Sequence, residues 1–335
     1  MLIGWYIHHH GYGHVARFLA VQPHLRCPVV AFSSMARPDG LDPAVDWVRL
    51  PADADVVEGP DGESHDPRDA DPTARGHLHW APHDHPGHRA RLARIAAVAS
   101  ERDLRAFVVD VSAEVVAFAR LLGLRTIAVT QPGTRTDAPH ALAYALADRI
   151  IAPWAHGAVP RAGLSAHGDR VVWTGGVSRY EGRPRTERSP GRSVLFLGRV
   201  LEPEVRAHAT AELSARGWDV GTVGHDDASR VDDPWPLITG STVVVSAAGQ
   251  NSVADLAAAE ARAVVIAQDR PFEEQHHTAE ALEQWGLARR AEQGVGAADL
   301  VALVERAADD APDWSRWQVA GAARRLAEAV EAVLP

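Results

Sequence analysis

The sequence predicts an α/β protein of two doubly wound, Rossmann-like domains facing each other across a cleft. Short apolar runs alternate with helical patterns, which marks βαβ units on a parallel sheet. The alternation stops at a stretch rich in Gly and Pro near the middle of the chain and then restarts. The length of 335 residues is about two domains' worth at roughly 150 residues each.

Residues 2–8 form the first strand, followed by a Gly-containing turn and a helix from about His14. Residues 28–33 are a second short apolar run. Residues 106–110 read as a buried strand ending in the carboxylate of Asp110, followed by a helix over about 112–122 and a strand at 125–130. Sheets of this kind bind ligands at the carboxyl ends of their strands. Residues 51–88 break the rhythm. They are rich in Asp, Pro, Gly and His and show no periodicity, so the segment is either a mobile, solvated loop or a functional one. Gly175, Gly176, Gly182, Pro184, Pro190 and Gly191 crowd into residues 174–191 and predict a linker. Beyond it, strands are expected at 193–197, 218–223, 242–246 and 263–267. Helices are expected near 203–216, 250–259, 274–285, 297–309 and 313–333. The expected domains are 1–175, joined by a C-terminal helix over 313–335, and 192–312, with 176–191 between them. Clefts between such domains are where small ligands bind.

Composition narrows the chemistry. The net charge is −10, which argues against nucleic acid as a partner, because a phosphate backbone selects a basic face. An apolar fraction of 46% is enough for a sizeable core. The single cysteine, Cys27, excludes an internal disulfide framework and a Cys-based zinc cage. The chain contains no lysine, so all 34 basic residues are Arg. That excludes a lysine Schiff base and the lysine of phosphate-binding loops. No basic leader precedes the first apolar run and no run of 18 apolar residues occurs. The expectation is a cytoplasmic protein with at most peripheral membrane contact.

The first strand runs into His8-His9-His10-Gly11-Tyr12-Gly13-His14. Glycines allow a sharp turn and a close approach to a ligand. The third glycine of the dinucleotide fingerprint is missing, since Ala16 and Arg17 stand there. His14 is placed at a helix N-terminus, where the dipole disfavours imidazolium. A neutral imidazole at a cleft can accept a proton from a hydroxyl nucleophile; alternatively His14 packs on the sheet. Asp110 ends a neighbouring strand on the same side. It can orient His14 through the other ring nitrogen or cap the following helix.

In the second half, the strand ending at Ser246 leads into Ala247-Ala248-Gly249-Gln250-Asn251-Ser252-Val253-Ala254-Asp255. A strand, a turn of small residues and a helix N-terminus make an anion site. Ser252 and Asp255 also fit a capping box. The next strand ends in a polar tip that includes Glu274 and Gln275, groups that suit sugar hydroxyls.

These residues carry a resemblance. The second half resembles the donor domain of the GT-B sugar-nucleotide glycosyltransferases, most of all the family 28 group, which includes the lipid-II-forming N-acetylglucosaminyltransferase. In that group a strand ends in S-G-x-x-S/T-x-x-E and a D/Q-Q pair follows about twenty residues on. Ser246, Gly249–Asp255, Glu274 and Gln275 stand at those places, with Asp255 one methylene shorter than the family's ribose-binding Glu. Thr174-Gly175-Gly176-Val177-Ser178-Arg179 resembles the T-G-N-P-V-R junction, with Val177 in place of proline. Leu197-Gly198-Arg199 stands at the family's Gly-rich loop, and Gly11–His14 at its N-terminal G-x-G-H loop.

The resemblance implies a metal-independent, inverting transfer of a sugar from a nucleotide diphosphate donor, UDP-linked, to an acceptor hydroxyl. His14 would be the base with Asp110 behind it. Gly13, Arg179, Arg199, Ser246, Gly249, Gln250, Asn251 and Ser252 would lie at the donor, Asp255 at its ribose, and Glu274 and Gln275 at its sugar. The nucleotide sugar is substrate, no cofactor is implied, and the acceptor is unspecified. A 2-epimerase of the same fold and a non-catalytic nucleotide-sugar-binding protein remain open.

His65, His77, His79, His83, His85 and His88 lie in or beside the aperiodic segment, with Asp61, Asp66, Asp69 and Asp71 near them. Imidazole and carboxylate together can hold a divalent metal, but this spacing matches no closed site. The resemblance places an acceptor lid here.

Overall fold

The computed structural model describes residues 1–58, 62–159, 163–187, 191–226 and 228–334. Asp61 and Pro190 therefore lie outside the described residues. In chain order the first part contains strands β1 (Ile3–Ile7), β2 (Val29–Ser33), β3 (Asp46–Arg49), β4 (Val57–Glu58), β5 (Ser64–His65), β6 (Ala106–Asp110), β7 (Arg125–Val129), β8 (Arg149–Ala152) and β9 (Val171–Trp173). Its helices are α1 (Gly13–Val21), α2 (Pro86–Glu101), α3 (Ala113–Leu121) and α4 (Ala138–Leu146). The second part contains β10 (Ser193–Leu197), β11 (Asp219–Val223), β12 (Val243–Ala247), β13 (Ala263–Ile266) and β14 (Arg289–Ala291). Helices α5 (Pro203–Ala215), α6 (Trp235–Gly240), α7 (Gln250–Ala258), α8 (Glu274–Gln284), α9 (Ala297–Ala307) and α10 (Ala322–Glu331) complete it.

Two parallel sheets organise the chain in two domains. The first has the order β3-β2-β1-β6-β7-β8-β9 and the second β11-β10-β12-β13-β14. β1, β2 and β6 are buried along their whole length. They therefore read as continuous apolar runs rather than alternating ones, as strands covered on both faces do. The winding direction reverses between β1 and β6 and again between β10 and β12, and ligands of such sheets bind above the reversal. Register makes the first crevice specific: Ile7 pairs with Asp110, so the chain leaving β1 must pass the Asp110 carboxylate.

The last helix crosses back to the first sheet. Leu326, Ala327 and Val330 of α10 share a buried cluster with Val15 and Phe18 of α1 and Ile151 of β8. Each of these side chains larger than alanine contributes about 1.5–3 kcal/mol by burial. Glu331 accepts from the Cys27 amide at 3.2 Å, and Arg125 donates to the Val333 carbonyl at 2.7 Å. The single helix expected over 313–333 is instead a short 3₁₀ turn, Trp314–Trp317, and α10. Gln318 and Gly321, both in the left-handed region, separate the two and let the chain turn back.

A further expectation needs correction here. Residues 51–88 are not a loose loop. Asp53 is buried, its carbonyl accepts from Trp80 Nε1 at 3.0 Å, and the His83 amide donates to the Ala70 carbonyl at 2.9 Å. A β4–β5 hairpin and a 3₁₀ turn at Pro67–Asp69 lie inside the segment, and α2 begins at its end, capped by His85, which accepts from the His88 amide. Gly175 and Gly176, at the start of the predicted linker, are held by close packing. At Gly175, with φ of +81°, a Cβ would come within 2.1 Å of the Gln318 carbonyl oxygen; at Gly176 it would come within 2.6 Å of the Trp317 ring. The two chain crossings between the domains thus pack backbone against backbone, and the Gly176 amide donates to the Trp317 carbonyl. Among the described residues no helix is long and apolar enough to cross a membrane.

Gly176→Ala should destabilise by about 1–3 kcal/mol, the usual cost of overpacking, and Gly175→Ala by more, since backbone strain is added. Gly182 also has a positive φ of +74° but nothing within 4 Å of a Cβ, so Gly182→Ala should cost only about 1–2 kcal/mol. Urea unfolding of the three variants measures this; equal effects would show a flexible linker instead of a packed crossing.

Candidate functional site at the domain interface

The chain leaving β1 turns through Gly11, whose φ is +87°, and enters α1 at Gly13. His14 is the second residue of that helix. Its Nδ1 lies 2.9 Å from Asp110 Oδ1, and both side chains are buried, Asp110 completely. Burial alone would raise the Asp110 carboxyl, but the nearby Arg17 guanidinium and His14 outweigh it and hold the group below its ordinary value. An ionised carboxylate only accepts hydrogen bonds. In the neutral ring Nδ1–H then donates to Asp110 and Nε2 keeps its lone pair, the tautomer a general base needs. Asp110 does not cap the next helix; Ser112 does, accepting from the Val115 amide at 3.2 Å.

His8, His9 and His10 form a packed group of rings beside this pair, with His8 and His9 stacked at 4.9 Å. Burial, reinforced by the His14, His9 and His10 rings, lowers His8 to about 3, so it stays neutral. Asp53 lies beyond them, ion-paired with the buried Arg91 and 3.7 Å from His88. Burial alone would raise Asp53, yet His88 and Arg91 hold it low. Arg91 also donates to Tyr6 Oη at 3.2 Å and Ser34 Oγ at 3.1 Å.

Across the cleft, α7 starts at Gln250 with Gly249 as its uncapped N-terminal residue. Asn251 Nδ2 donates to the Gly13 carbonyl at 2.6 Å, and a Cβ on Gly13 would lie 2.6 Å from that nitrogen. Gly13 thus permits the two helix starts to abut. The expected capping box is absent, because Ser252 already lies inside the helix. The Asp255 carboxylate instead accepts from Ser178 Oγ at 2.6 Å and lies 3.6 Å from Arg179 Nε.

A cavity of about 440 Å³ opens above the carboxyl ends of β10, β11 and β12, with Arg199, Arg230, Arg270, Ser246 and Ser252 in its wall. Asp255 and Arg179 are not part of that wall. Gln275 is buried beneath the tip, where its Oε1 accepts from the Gln268 amide at 3.1 Å. Glu274 faces the other domain: Arg135 Nη2 donates to it at 3.3 Å. Burial raises its carboxyl, against Arg135 and His14. Beside it Phe272 and Glu273 are both left-handed, with φ of 64° and 58°, and the Thr134 amide donates to the Phe272 carbonyl at 2.9 Å.

The sequence reading missed Arg17, Arg135, Asp137, His140, Arg230 and Arg270, none of which stands in a recognisable spacing. It also missed what His79 meets. His79 Nε2 and His140 Nδ1 lie 2.6 Å and 2.5 Å from the two oxygens of Asp137, and the three residues could together hold a metal ion. The donors argue otherwise. Burial lowers His140 to about 4, Asp137 opposing and Arg135 reinforcing, and Arg135 Nη1 lies 3.1 Å from His140 Nε2. A guanidinium only donates, so Nε2 accepts, the ring proton is on Nδ1, and no lone pair faces Asp137. The cluster is a closed hydrogen-bond network that ties residues 51–88 to α4.

No protein-family model and no curated protein matches the sequence. Solved structures do match along its whole length. The glycotransferase of kitacinnamycin is 15% identical with a TM-score of 0.69, covering 100% of this chain and 99% of its own. Acinetobacter baumannii MurG is 14% identical at 0.59, covering 99% and 100%. The spinosyn rhamnosyltransferase SpnG, complexed with thymidine diphosphate, is 14% identical at 0.61, covering 99% and 97%. These similarities establish the GT-B fold.

Asp255 carries a consequence for stability. Burial raises its carboxyl to about 6, against Ser178 and Arg179, while the unfolded chain titrates near 3.8. Between about pH 4 and pH 6 the folded form therefore holds a proton the unfolded form has lost, and stability falls as pH rises. Two units correspond to at most about 3 kcal/mol. Asp255→Asn, which keeps an acceptor for Ser178, should remove that fall. Unfolding free energies of both proteins at pH 4 and pH 7 test it; parallel pH curves would show Asp255 ionised throughout.

Proposed function

We propose that this chain is a glycosyltransferase that moves a sugar from a nucleotide diphosphate donor, UDP-linked, to an acceptor hydroxyl. The observation that carries the reading is the buried His14–Asp110 pair, which faces the uncapped start of α7 beside an arginine-walled cavity. One side of the cleft supplies a base and the other an anion site, the two functions a single displacement needs. We take residues 1–175 with the C-terminal helix as the acceptor-side unit and 192–312 as the donor unit.

In this reading the acceptor hydroxyl gives its proton to His14 Nε2 as its oxygen forms the new bond at the sugar's anomeric carbon. Asp110 stabilises the imidazolium that results. The bond from the anomeric carbon to the diphosphate breaks on the opposite face, so the configuration inverts. The departing charge is met by amides at the start of α7, by Ser252 and by Arg199 and Arg270, with no metal needed. Arg179 and Asp255, occupied with each other, take no direct part unless the carboxylate exchanges Ser178 for a ribose hydroxyl. Glu274 and Gln275 border the sugar, Glu274 through its bridge to Arg135.

Release of UDP from a panel of UDP-sugars with candidate acceptors tests transfer, and formation of an epimer without release would support the 2-epimerase. His14→Ala should lower turnover by about 10²–10⁴-fold, the usual contribution of a general base, and leave UDP affinity within about twofold, because the ring lies on the acceptor side. Near-normal turnover in this variant would place the base elsewhere.

A further inference from the structure

Arg17 takes no part in the chemistry above, yet it lies at its centre. It follows His14 by one helical turn, so the two side chains leave α1 on the same face. Its side chain is only 3% exposed. Nη2 donates to Gln250 Oε1, on the first residue of α7, at 3.3 Å. Nε lies 3.6 Å from Asp110 Oδ2, too far for a good hydrogen bond. Among the described residues, the buried Nε and Nη1 have no hydrogen-bond partner, and neither does Asp110 Oδ2, so the loose ion pair is their one compensation. A guanidinium carries five N–H donors, and here a single one is used.

A buried arginine this poorly paired is costly, and one retained only to neutralise Asp110 would be expected to grip it in a bidentate fork. Instead the guanidinium lies between Asp110 and the first turn of α7. That turn has no side-chain cap, so its amides are free to meet an anion, and the field of the helix adds to the attraction. The Gln250 amide oxygen is a neutral acceptor that an anionic oxygen readily displaces.

We infer that Arg17 is a catalytic residue contributed by the acceptor-side domain, whose free N–H groups bind the diphosphate at the start of α7 and stabilise it as it leaves. This rests on the glycosyltransferase reading and extends it. One helical turn of the first domain then holds both the base, His14, and a cation for the leaving group. The two can act together only when the domains are closed and Asn251 meets Gly13.

Calorimetric titration with UDP, thymidine diphosphate and uridine tests the inference. In Arg17→Gln, affinity for the preferred diphosphate should fall at least about tenfold, the worth of a charge-assisted contact, with uridine unchanged within about twofold. Because Arg17→Gln leaves Asp110 buried with less compensation, the double variant Arg17→Gln/Asp110→Asn is compared with Asp110→Asn alone. Removing both charges spares the fold, and the same loss of at least about tenfold is expected between these two. Diphosphate affinity equal in both would reduce Arg17 to a partner of Asp110 and overturn the inference while leaving the glycosyltransferase reading intact. A wild-type protein that binds neither diphosphate would remove both.

Discussion

A carboxylate with no exposure to water sets the terms for the interface between the domains. Asp110 ends β6 beside Ile7, deep enough that an uncompensated charge there would cost several kcal/mol. Compensation comes from two residues of one helix, His14 at 2.9 Å and Arg17 at 3.6 Å. That requirement fixes where α1 starts and which face it turns to the sheet. It also brings the start of α1 against that of α7, so the electrostatics of one buried group reach across to the second domain.

The interface is held at three separate places, each of a different physical kind. At the back, Gly175 and Gly176 let the two crossing segments touch through backbone atoms and the Trp317 ring. Over the dyad, Asn251 and Gln250 hold α1 by polar contacts to Gly13 and Arg17. At the third, Arg135 lies over the Phe272 ring at 4.8 Å and bonds Glu274. The first is steric and cannot open without moving main chain. The second is polar and exchangeable, whereas the third also carries a main-chain bond from the Thr134 amide to the Phe272 carbonyl.

The charge inventory of the chain fits the same picture. With no lysine present, every cation near the cleft is a guanidinium, a planar group suited to phosphate oxygens. Arg199, Arg230 and Arg270 line the second domain's cavity, whereas Arg91 and Arg135 are consumed by Asp53 and by Gln131, His140 and Glu274. The first domain's side of the cleft carries imidazoles next to carboxylates, as at His14–Asp110 and His88–Asp53. The two walls of the cleft therefore differ in kind, one lined by arginines and the other by imidazoles and carboxylates.

Much of this was legible in the sequence because it depends on local pattern. The fold class follows from apolar runs alternating with helical periods. The strand–turn–helix at Ser246–Ser252 follows from a strand, small residues and a helix start, and His14 and Asp110 could be paired because parallel strands deliver their carboxyl ends to one edge. What the tertiary structure decided are the contacts between residues far apart in the chain whose type has several uses. Asp255 reads equally as a cap or a ribose ligand, and only packing shows its carboxylate held by Ser178 at 2.6 Å. His79 reads as part of a solvated loop until α4 brings Asp137 and His140 to it. The glycines at 175 and 176 look like a flexible linker by composition, yet they serve a close approach to Gln318 and Trp317, 141 or more residues away. Arg17 is one of 34 arginines in the sequence; its burial beside Asp110 arises only once two strands and two helix starts have met, and no periodicity records such a meeting.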